Sequence, residues 1–196
     1  MFRWVVLILL AGALSISAFH RRRARLQSGA IPRSLEETRL IIGRVFVAFP
    51  LFGGAVLYII NPSWMTWASF AAPSWVRWFG IVLGLFTLPA VHWVLKTLGQ
   101  NVSETVLTKD QQELVSNGPY RWVRHPLYTT GIALFVALSL IAANWFILLF
   151  ALLALISIRL VVVPREEQEL SARFGTEYEQ YIQRTGAIFP RLRTED

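Results

Sequence analysis

The sequence predicts an all-α integral membrane protein with about five transmembrane helices, a polar cytosolic loop and a C-terminal helix. Of its 196 residues, 55% are hydrophobic, against about 45–50% in a typical soluble domain. The excess is gathered into long apolar runs, which is the pattern of membrane spans. The chain has no cysteine, which excludes disulfides, thiolate metal sites and cysteine nucleophiles.

Five apolar runs are candidates for crossing the bilayer, whose core requires about 20 apolar residues per helix, with a range of roughly 17–25. They are residues 2–19, 41–60, 76–96, 127–143 and 145–163. The last two are short and almost continuous, so we expect them to form an antiparallel hairpin. Asn144 is the expected turn residue because asparagine tolerates left-handed backbone geometry.

The first run could instead be a cleaved signal peptide, because Arg3 precedes it and small residues follow its apolar centre. The arginines at 21–25 favour an uncleaved helix, since a signal peptide would require them to be translocated.

The net charge of +7 is better explained by membrane orientation than by nucleic-acid binding. Five spans place loop 20–40, loop 97–126 and the tail on one side, and these segments hold most of the basic residues. The positive-inside rule then puts that side in the cytoplasm and the N-terminus outside. The basic residues on this side are Arg21, Arg22, Arg23, Arg25, Arg33, Arg39, Arg44, Lys96, Lys109, Arg121, Arg124, Arg165, Arg173, Arg184, Arg191 and Arg193.

Two further segments have readable patterns. Residues 63–74 are rich in tryptophan and bounded by Pro62 and Pro73, which predicts an outer interfacial loop rather than one helix. Residues 165–182 have helical periodicity, with Pro164 breaking or starting the helix and Gly175 able to divide it. This tail helix is expected on the inner membrane surface or against the cytoplasmic ends of the spans.

The stretch Gly118–Tyr128 has many hydrogen-bonding side chains at the N-terminal end of the fourth span. Holding such side chains in an ordered arrangement at a membrane edge costs free energy unless they bind something. Proline suits the first turn of a helix, so the span is expected to begin near Pro126. Its free backbone N–H groups would favour a negative group at that end. Arg124, His125 and Tyr128 are therefore candidate binding residues, although His125 could also be an ordinary interfacial histidine.

Several other polar residues permit both a structural and a functional interpretation. Glu166 and Glu167 could simply stabilise a helix dipole by about 0.3–1 kcal/mol, or one of them could bind a ligand. Arg159 lies in the cytoplasmic half of the fifth span, where it could act on a ligand or extend to the interface. His92 is expected to make a hydrogen bond within the bundle.

A metal site is not expected. The three histidines are far apart in sequence and form no closely spaced pair, whereas zinc sites use clustered ligands.

The last hundred residues resemble the isoprenylcysteine carboxyl methyltransferases, a family similar in turn to the phospholipid N-methyltransferases. The matching residues keep a consistent order and spacing, whereas the first 75 residues carry no comparable signature. They are Leu98, Gly99, Asn101, Ser103, Leu114, Val115, Gly118 to Arg121, Arg124 to Pro126, Tyr128, Glu166, Glu167, Leu170, Phe174, Gly175, Tyr178 and Tyr181.

This resemblance implies an integral membrane methyltransferase that uses S-adenosylmethionine, held at the cytosolic face between the loop before the fourth span and the tail helix. A lipophilic substrate would arrive from the bilayer through a gap between helices, so membrane lipids are the expected surroundings and nucleic acid is not a partner. The residues expected to line the cofactor site are Tyr120, His125, Pro126, Tyr128, Glu166 and Glu167.

The resemblance also suggests a division into residues 1–75, with two spans, and residues 76–196, the methyltransferase core. One departure concerns the glycine that often lies two positions after the tyrosine of the His-Pro-x-Tyr motif. Here Thr130 holds that position and Gly131 follows, which could alter helix packing near the cofactor.

The chemistry depends on the acceptor, which the sequence leaves open. A carboxylate is ionised at neutral pH and requires no base, so positioning would dominate and could supply up to about 7–11 kcal/mol. Arg124 or Arg159 could then orient the anion. An amine acceptor would require a base, with His125 or a glutamate as the candidate.

Two other interpretations compete. Sterol-reductase-like enzymes resemble the same C-terminal half but use NADPH, and their motif tends to carry asparagine where this chain has Pro126. A non-enzymatic membrane scaffold is the other alternative, and it should not bind S-adenosylmethionine.

Overall fold

The computed structural model describes residues 1–29, 38–102 and 113–191, except the side chains of 39 and 40. Arg33, Lys109, Arg193, Ser103 and the Arg39 side chain, which entered the sequence predictions, lie outside these residues. Seven helices follow one another in the described part: α1 (Phe2–Ser28), α2 (Thr38–Ile60), α3 (Ser74–Leu98), α4 (Pro126–Ala142), α5 (Trp145–Ser157), α6 (Val163–Phe174) and α7 (Thr176–Arg184).

The predicted class, an all-α membrane protein, is confirmed. Four helical stretches are long and apolar enough to cross a bilayer: Phe2–Ser28, Ile41–Ile60, Ser74–Asn101 and Trp145–Phe174. The described residues contain isolated bridges but no strand. The remaining predicted span, the fourth, is α4, which has only 17 residues and is therefore about 25 Å long at 1.5 Å per residue.

Two predicted span ends require correction. The first helix does not end at residue 19 but continues through the arginines to Ser28, since arginine is a good helix former. The fifth span, predicted as 145–163, continues beyond residue 163, because α5 runs through a π-helical segment, Ile158–Val162, into α6. Pro164 lies in the first turn of α6, in agreement with one of the two roles predicted for it. A proline removes one backbone donor and its ring crowds the preceding helical turn. The wider π turn, Ile158–Val162, occupies that preceding turn.

The hairpin between α4 and α5 forms as predicted, but its turn differs in detail. Ala143, not Asn144, has left-handed geometry, with φ of 50°. Asn144 is instead the N-cap of α5, and its side-chain oxygen accepts a hydrogen bond from the Ile147 N–H at 3.1 Å. Its amide group also donates to the Met65 carbonyl at 3.4 Å, so the hairpin tip lies against the tryptophan-rich segment.

As predicted, the tryptophan-rich segment does not form one continuous helix. Its first part is the 3-10 helix Pro62–Ala68. The indoles of Trp64 and Trp67 in this segment, and of Trp75 and Trp78 at the start of α3, are exposed. The tail helix is divided at Gly175, whose φ of 55° separates α6 from α7 and suits glycine. His92 makes the expected bundle contact, with its Nδ1 3.2 Å from Nε2 of the buried His20.

Close packing of α3 on α4 depends on Gly80. A Cβ at this position would lie 2.9 Å from the Ala137 carbonyl oxygen and 3.0 Å from the Ile141 backbone nitrogen. Small residues allow such approach between membrane helices. This contact fixes α4, and therefore the N-terminal end of α4, relative to α3.

Gly80→Leu is expected to destabilise the protein by about 1–3 kcal/mol, because overpacking would force α3 and α4 apart. Thermal unfolding in nanodiscs measures the effect. Gly43→Leu is the matched control, since a Cβ at Gly43 on α2 meets nothing within 4 Å. Equal unfolding temperatures for both variants would contradict this account of the contact.

Candidate functional site

The candidate site lies where the N-terminus of α4 meets α6 and α7. The 3-10 turn Gly118–Arg121 leads into His125, the N-cap of α4, and Pro126 occupies the first turn as predicted. The opposite end of α4 lies at the tryptophan-rich segment. α4 is about 25 Å long, which is shorter than the core of a bilayer, about 30 Å.

His125 lies between two carboxylates and is 7% exposed. Its Nδ1 lies 3.1 Å from Glu166 Oε2, and its Nε2 lies 3.4 Å from Glu167 Oε1. Burial by itself lowers the pKa of His125, but hydrogen bonds and charge from the two glutamates outweigh burial and raise it above its ordinary value. The imidazole therefore holds a proton more tightly than a free histidine does.

Each glutamate has a second partner. Tyr128 donates its hydroxyl proton to Glu166 Oε1 at 2.5 Å, and its ring stacks on the His125 ring with centroids 5.8 Å apart. Arg124 donates from Nε to Glu167 Oε1 at 2.7 Å. The acidic pair of α6 is thus tied to the residues that begin α4, and we name Arg124, His125, Tyr128, Glu166 and Glu167 the polar cluster.

Arg124 also holds the end of α7. Its Nη1 donates to the Ile182 carbonyl at 3.2 Å and to the Thr185 carbonyl. A guanidinium at the C-terminus of a helix satisfies carbonyls that have no partner within the helix. The Arg124 side chain is therefore committed to structure as well as to Glu167.

A short C-terminal strap, residues 185–188, closes over the same region. The Arg124 N–H donates to the Gly186 carbonyl at 2.9 Å, and the His125 N–H donates to the Ala187 carbonyl at 3.0 Å. Thr129 Oγ1 donates to the Ile188 carbonyl at 2.7 Å. These bonds occupy the N–H groups of Arg124 and His125, so part of the anion site predicted at the start of α4 is filled by the protein itself.

Tyr120, Tyr178 and Tyr181 form a buried aromatic group beside the polar cluster. Tyr181 donates its hydroxyl proton to the Tyr120 carbonyl at 2.6 Å. Burial raises the pKa of all three phenols, so they remain protonated. Among the buried side-chain atoms of the described residues, His125 Nε2 and Tyr178 Oη have no partner in hydrogen-bond geometry.

An apolar cleft of about 240 Å³ reaches the polar cluster from the membrane side. It lies between α2, α4 and the α5–π segment, and Tyr128 forms part of its wall. Its other lining residues are Arg44, Val47, Ala48, Leu51, Leu127, Gly131, Ile132, Phe135, Ala154, Ser157, Ile158 and Val162. A Cβ at Gly131 would meet nothing within 4 Å, so this glycine opens the cleft and does not mediate the close packing considered above.

Most of the predicted site residues are therefore brought together, but Arg159 is not. It is exposed on the π segment, is absent from the cleft lining, and makes no hydrogen bond or ion pair within the described residues. Sequence reasoning missed Arg44, Thr185 and the strap. Arg44 carried a signal, since an arginine inside an apolar span is unusual, but backbone acceptors in the strap carry none.

No group of three or more His, Asp or Glu side chains that could hold a metal ion occurs among the described residues.

The polar cluster predicts a pH dependence of stability. Because the folded pKa of His125 is raised, its contribution is fully present below about pH 6.5, the ordinary histidine value. It is lost as the pH rises through the raised pKa. The thermal midpoint of the wild type should fall across that interval, whereas His125→Gln should remove this fall. Identical pH profiles would show that the imidazole charge contributes nothing.

Proteins with similar sequences include metal-resistance proteins and a methyltransferase. Over 81 residues the chain is 41% identical to the nickel-cobalt-cadmium resistance protein NccN of Alcaligenes xylosoxydans xylosoxydans, covering 41% of this chain and 37% of the relative. Over 75 residues it is 40% identical to methanethiol S-methyltransferase 1 of Bradyrhizobium diazoefficiens, covering 38% and 25% respectively. The chain thus spans little more than a third of one relative and a quarter of the other.

The fold has a solved counterpart in the eukaryotic intramembrane Ras methyltransferase, isoprenylcysteine carboxyl methyltransferase. The two superpose with a TM-score of 0.54 over 95% of this chain and 67% of the other, at 20% identity. A sequence profile of the phospholipid methyltransferase family matches residues 75–177, a little over half of the chain. This chain belongs to the phospholipid methyltransferase family and has the membrane methyltransferase fold.

Proposed function

We propose that the protein transfers a methyl group from S-adenosylmethionine to a lipophilic acceptor in the membrane, with the carboxylate of an isoprenylcysteine-like or other lipid as the leading acceptor. One observation carries this proposal. Tyr128 belongs both to the polar cluster, through Glu166, and to the wall of the apolar cleft. A polar donor and an apolar acceptor could therefore meet at this residue.

The residues present fit the proposed methyl donor. S-adenosylmethionine is cationic at its sulfonium and ammonium groups, and it carries a carboxylate and ribose hydroxyls. Glu166 and Glu167 could pair with the cationic groups and accept hydrogen bonds from the hydroxyls. His125 Nε2 and Tyr178 Oη are buried atoms without a hydrogen-bond partner, and they could bind other polar groups of the donor. Tyr120 and Pro126 would line the same pocket, since both are buried at the start of α4.

The donor supplies an electrophilic methyl group when bound. The protein would orient it through the glutamates, exclude water through the strap and the buried tyrosines, and guide the acceptor along the cleft. Proximity of this kind can supply up to about 7–11 kcal/mol. No residue has to remove a proton from a carboxylate acceptor, because a carboxylate is already ionised at neutral pH.

An amine acceptor is the second candidate, favoured by the phospholipid methyltransferase family match. It requires a general base. His125 suits this task less well than an ordinary histidine, because its raised pKa favours the protonated imidazole, which cannot accept a proton. A glutamate would have to serve instead, but Glu166 already accepts a hydrogen bond from Tyr128 and Glu167 accepts one from Arg124. Both carboxylates also lie beside the His125 ring. The carboxylate acceptor therefore agrees better with the polar cluster.

We further propose that the polar cluster faces the cytoplasm and that the N-terminus lies outside. The arginine-rich end of α1 adjoins the end of α3, since Ser28 Oγ donates to the Gln100 carbonyl at 2.8 Å. This end of the bundle also carries the α4 N-terminus. The positive-inside rule orients it toward the cytoplasm. The division into residues 1–75 and a methyltransferase core at 76–196 remains part of the proposal.

Calorimetric titration of the protein in nanodiscs with S-adenosylhomocysteine tests the donor site. Saturable binding with one site per chain is expected, together with no saturable binding of NADPH. Binding of NADPH alone would favour a reductase. Binding of neither ligand by folded protein would favour a scaffold.

Gly131→Leu should block the cleft without disturbing the donor site, because the new side chain would extend into open space. We expect methyl transfer to a lipophilic acceptor to fall about tenfold or more, with binding of S-adenosylhomocysteine unchanged. Gly53→Leu is the control, because a Cβ at Gly53 on α2 also meets nothing within 4 Å and Gly53 does not line the cleft. Unchanged transfer by Gly131→Leu would show that the acceptor does not use this cleft.

A further inference from the structure

Arg44 is the cationic side chain on the wall of the apolar cleft. It lies in α2, within the apolar stretch Ile41–Ile60. Together with Val47, Ala48 and Leu51, which also line the cleft, it has the i, i+3, i+4, i+7 spacing of one helix face. The opposite face of α2 carries exposed apolar side chains, among them Phe46 and Phe49.

An arginine in this position is not explained by extension to the membrane surface alone. Such a side chain could leave the apolar region from any face of the helix, but Arg44 lies on the face that lines the cleft. Arg44 and Tyr128 line the same cleft, and Tyr128 is also a member of the polar cluster.

The two arginines that the sequence suggested for the acceptor are placed differently. Arg124 is 8% exposed and is committed to Glu167 and the end of α7. Arg159 is exposed outside the cleft. Of these three arginines, Arg44 therefore has the position from which it could contact an acceptor that enters from the bilayer.

We propose that Arg44 binds an anionic head group, of the carboxylate type, on a single-chain amphiphile whose tail lies in the cleft. This inference rests on the proposed function and names the residue that selects the acceptor. A guanidinium recognises a carboxylate through paired N–H donors. The pairing would hold the reacting oxygen beside Tyr128, and it would disfavour uncharged and cationic head groups.

Binding of three probes with the same alkyl chain tests the proposal: dodecanoate, dodecanamide and dodecylammonium. The protein is reconstituted in nanodiscs of zwitterionic lipid and saturated with S-adenosylhomocysteine. The pH is about 9, because a membrane raises the pKa of a fatty acid and dodecanoate has to remain ionised. The amount of radiolabelled probe that binds is measured for wild type, Arg44→Gln and Arg44→Lys, and the amount bound by empty nanodiscs is subtracted. Arg22→Gln is the control, since Arg22 is an exposed arginine of α1 outside the cleft.

We expect the wild type to bind dodecanoate about tenfold more tightly than dodecanamide, the usual scale for a hydrogen bond to a charged group. Arg44→Gln should abolish this preference, Arg44→Lys should retain part of it, and Arg22→Gln should leave it unchanged. Because lysine restores charge without the guanidinium, partial rescue separates head-group binding from a purely structural role.

Other outcomes would overturn the assignment. Equal binding of acid and amide by the wild type, binding of neither, or a preference that survives in Arg44→Gln would each remove Arg44 from acceptor recognition. Displacement of dodecanoate by an equal charge of phosphatidylglycerol would show that Arg44 holds bulk lipid. In all these cases, if the protein still binds S-adenosylhomocysteine, the proposed donor site is unaffected. If the wild type does not bind S-adenosylhomocysteine at all, the proposed function itself is contradicted.

Discussion

Replacing His125 with alanine is expected to weaken binding of S-adenosylhomocysteine by at least about a hundredfold. The imidazole separates Glu166 from Glu167 and lies within 3.4 Å of both. Its removal would leave two partly buried carboxylates facing each other, with side chains 18% and 21% exposed. Hydrogen bonds to charged groups contribute about 1.5–3 kcal/mol each, and about 1.4 kcal/mol corresponds to tenfold in affinity.

Calorimetry on His125→Ala in nanodiscs checks this expectation, with His20→Ala as the matched control. His20 is also a buried histidine, but it pairs with His92 between α1 and α3, away from the polar cluster. A His125→Ala protein that binds with wild-type affinity would show that the polar cluster is only structural. Equal losses in both variants would point to a general effect on folding.

Arg124→Gln is expected to lower the free energy of unfolding by about 3–5 kcal/mol, the usual cost of breaking a buried ion pair from one side. The change would leave Glu167 without its guanidinium and the end of α7 without its cap. We therefore expect faster hydrogen exchange in residues 178–188 and a lower thermal midpoint.

Arg121→Gln is the comparison for Arg124→Gln. Arg121 is one turn earlier, exposed, and stacked over the Trp122 ring at 4.3 Å, so its loss should change the midpoint little. If the tail of Arg124→Gln exchanges as slowly as that of the wild type, Arg124 does not hold α7 in place.

The sequence was sufficient to predict the architecture because hydrophobic periodicity and length determine where membrane helices form. Helix ends were harder to place. Runs of arginine do not end a helix, so α1 continues to Ser28. Pro164, which was expected to break or start a helix, starts α6 directly after the π segment, so that the helical stretch continues. Both features depend on the backbone, which adapts in ways that composition does not reveal.

The candidate site was predictable in part. His125, Tyr128, Glu166 and Glu167 could be chosen from motif resemblance, and they do lie within contact distance of one another. The different positions of Arg44, Arg124 and Arg159 were not predictable, because they depend on which side of a helix faces the cleft. The strap was missed because its contacts to Arg124 and His125 run through backbone carbonyls, which every residue possesses.

Transfer of a radiolabelled methyl group from S-adenosylmethionine to lipid tests the central claim most directly. Wild type, His125→Ala and Gly131→Leu proteins in nanodiscs would be incubated with labelled donor and single-chain lipid acids, and the label extracted into organic solvent. The account predicts base-labile label, typical of methyl esters, in the organic phase with the wild type, and little with either variant. Label that never enters the organic phase, from wild-type protein that binds S-adenosylhomocysteine, would contradict methyl transfer to a lipophilic acid.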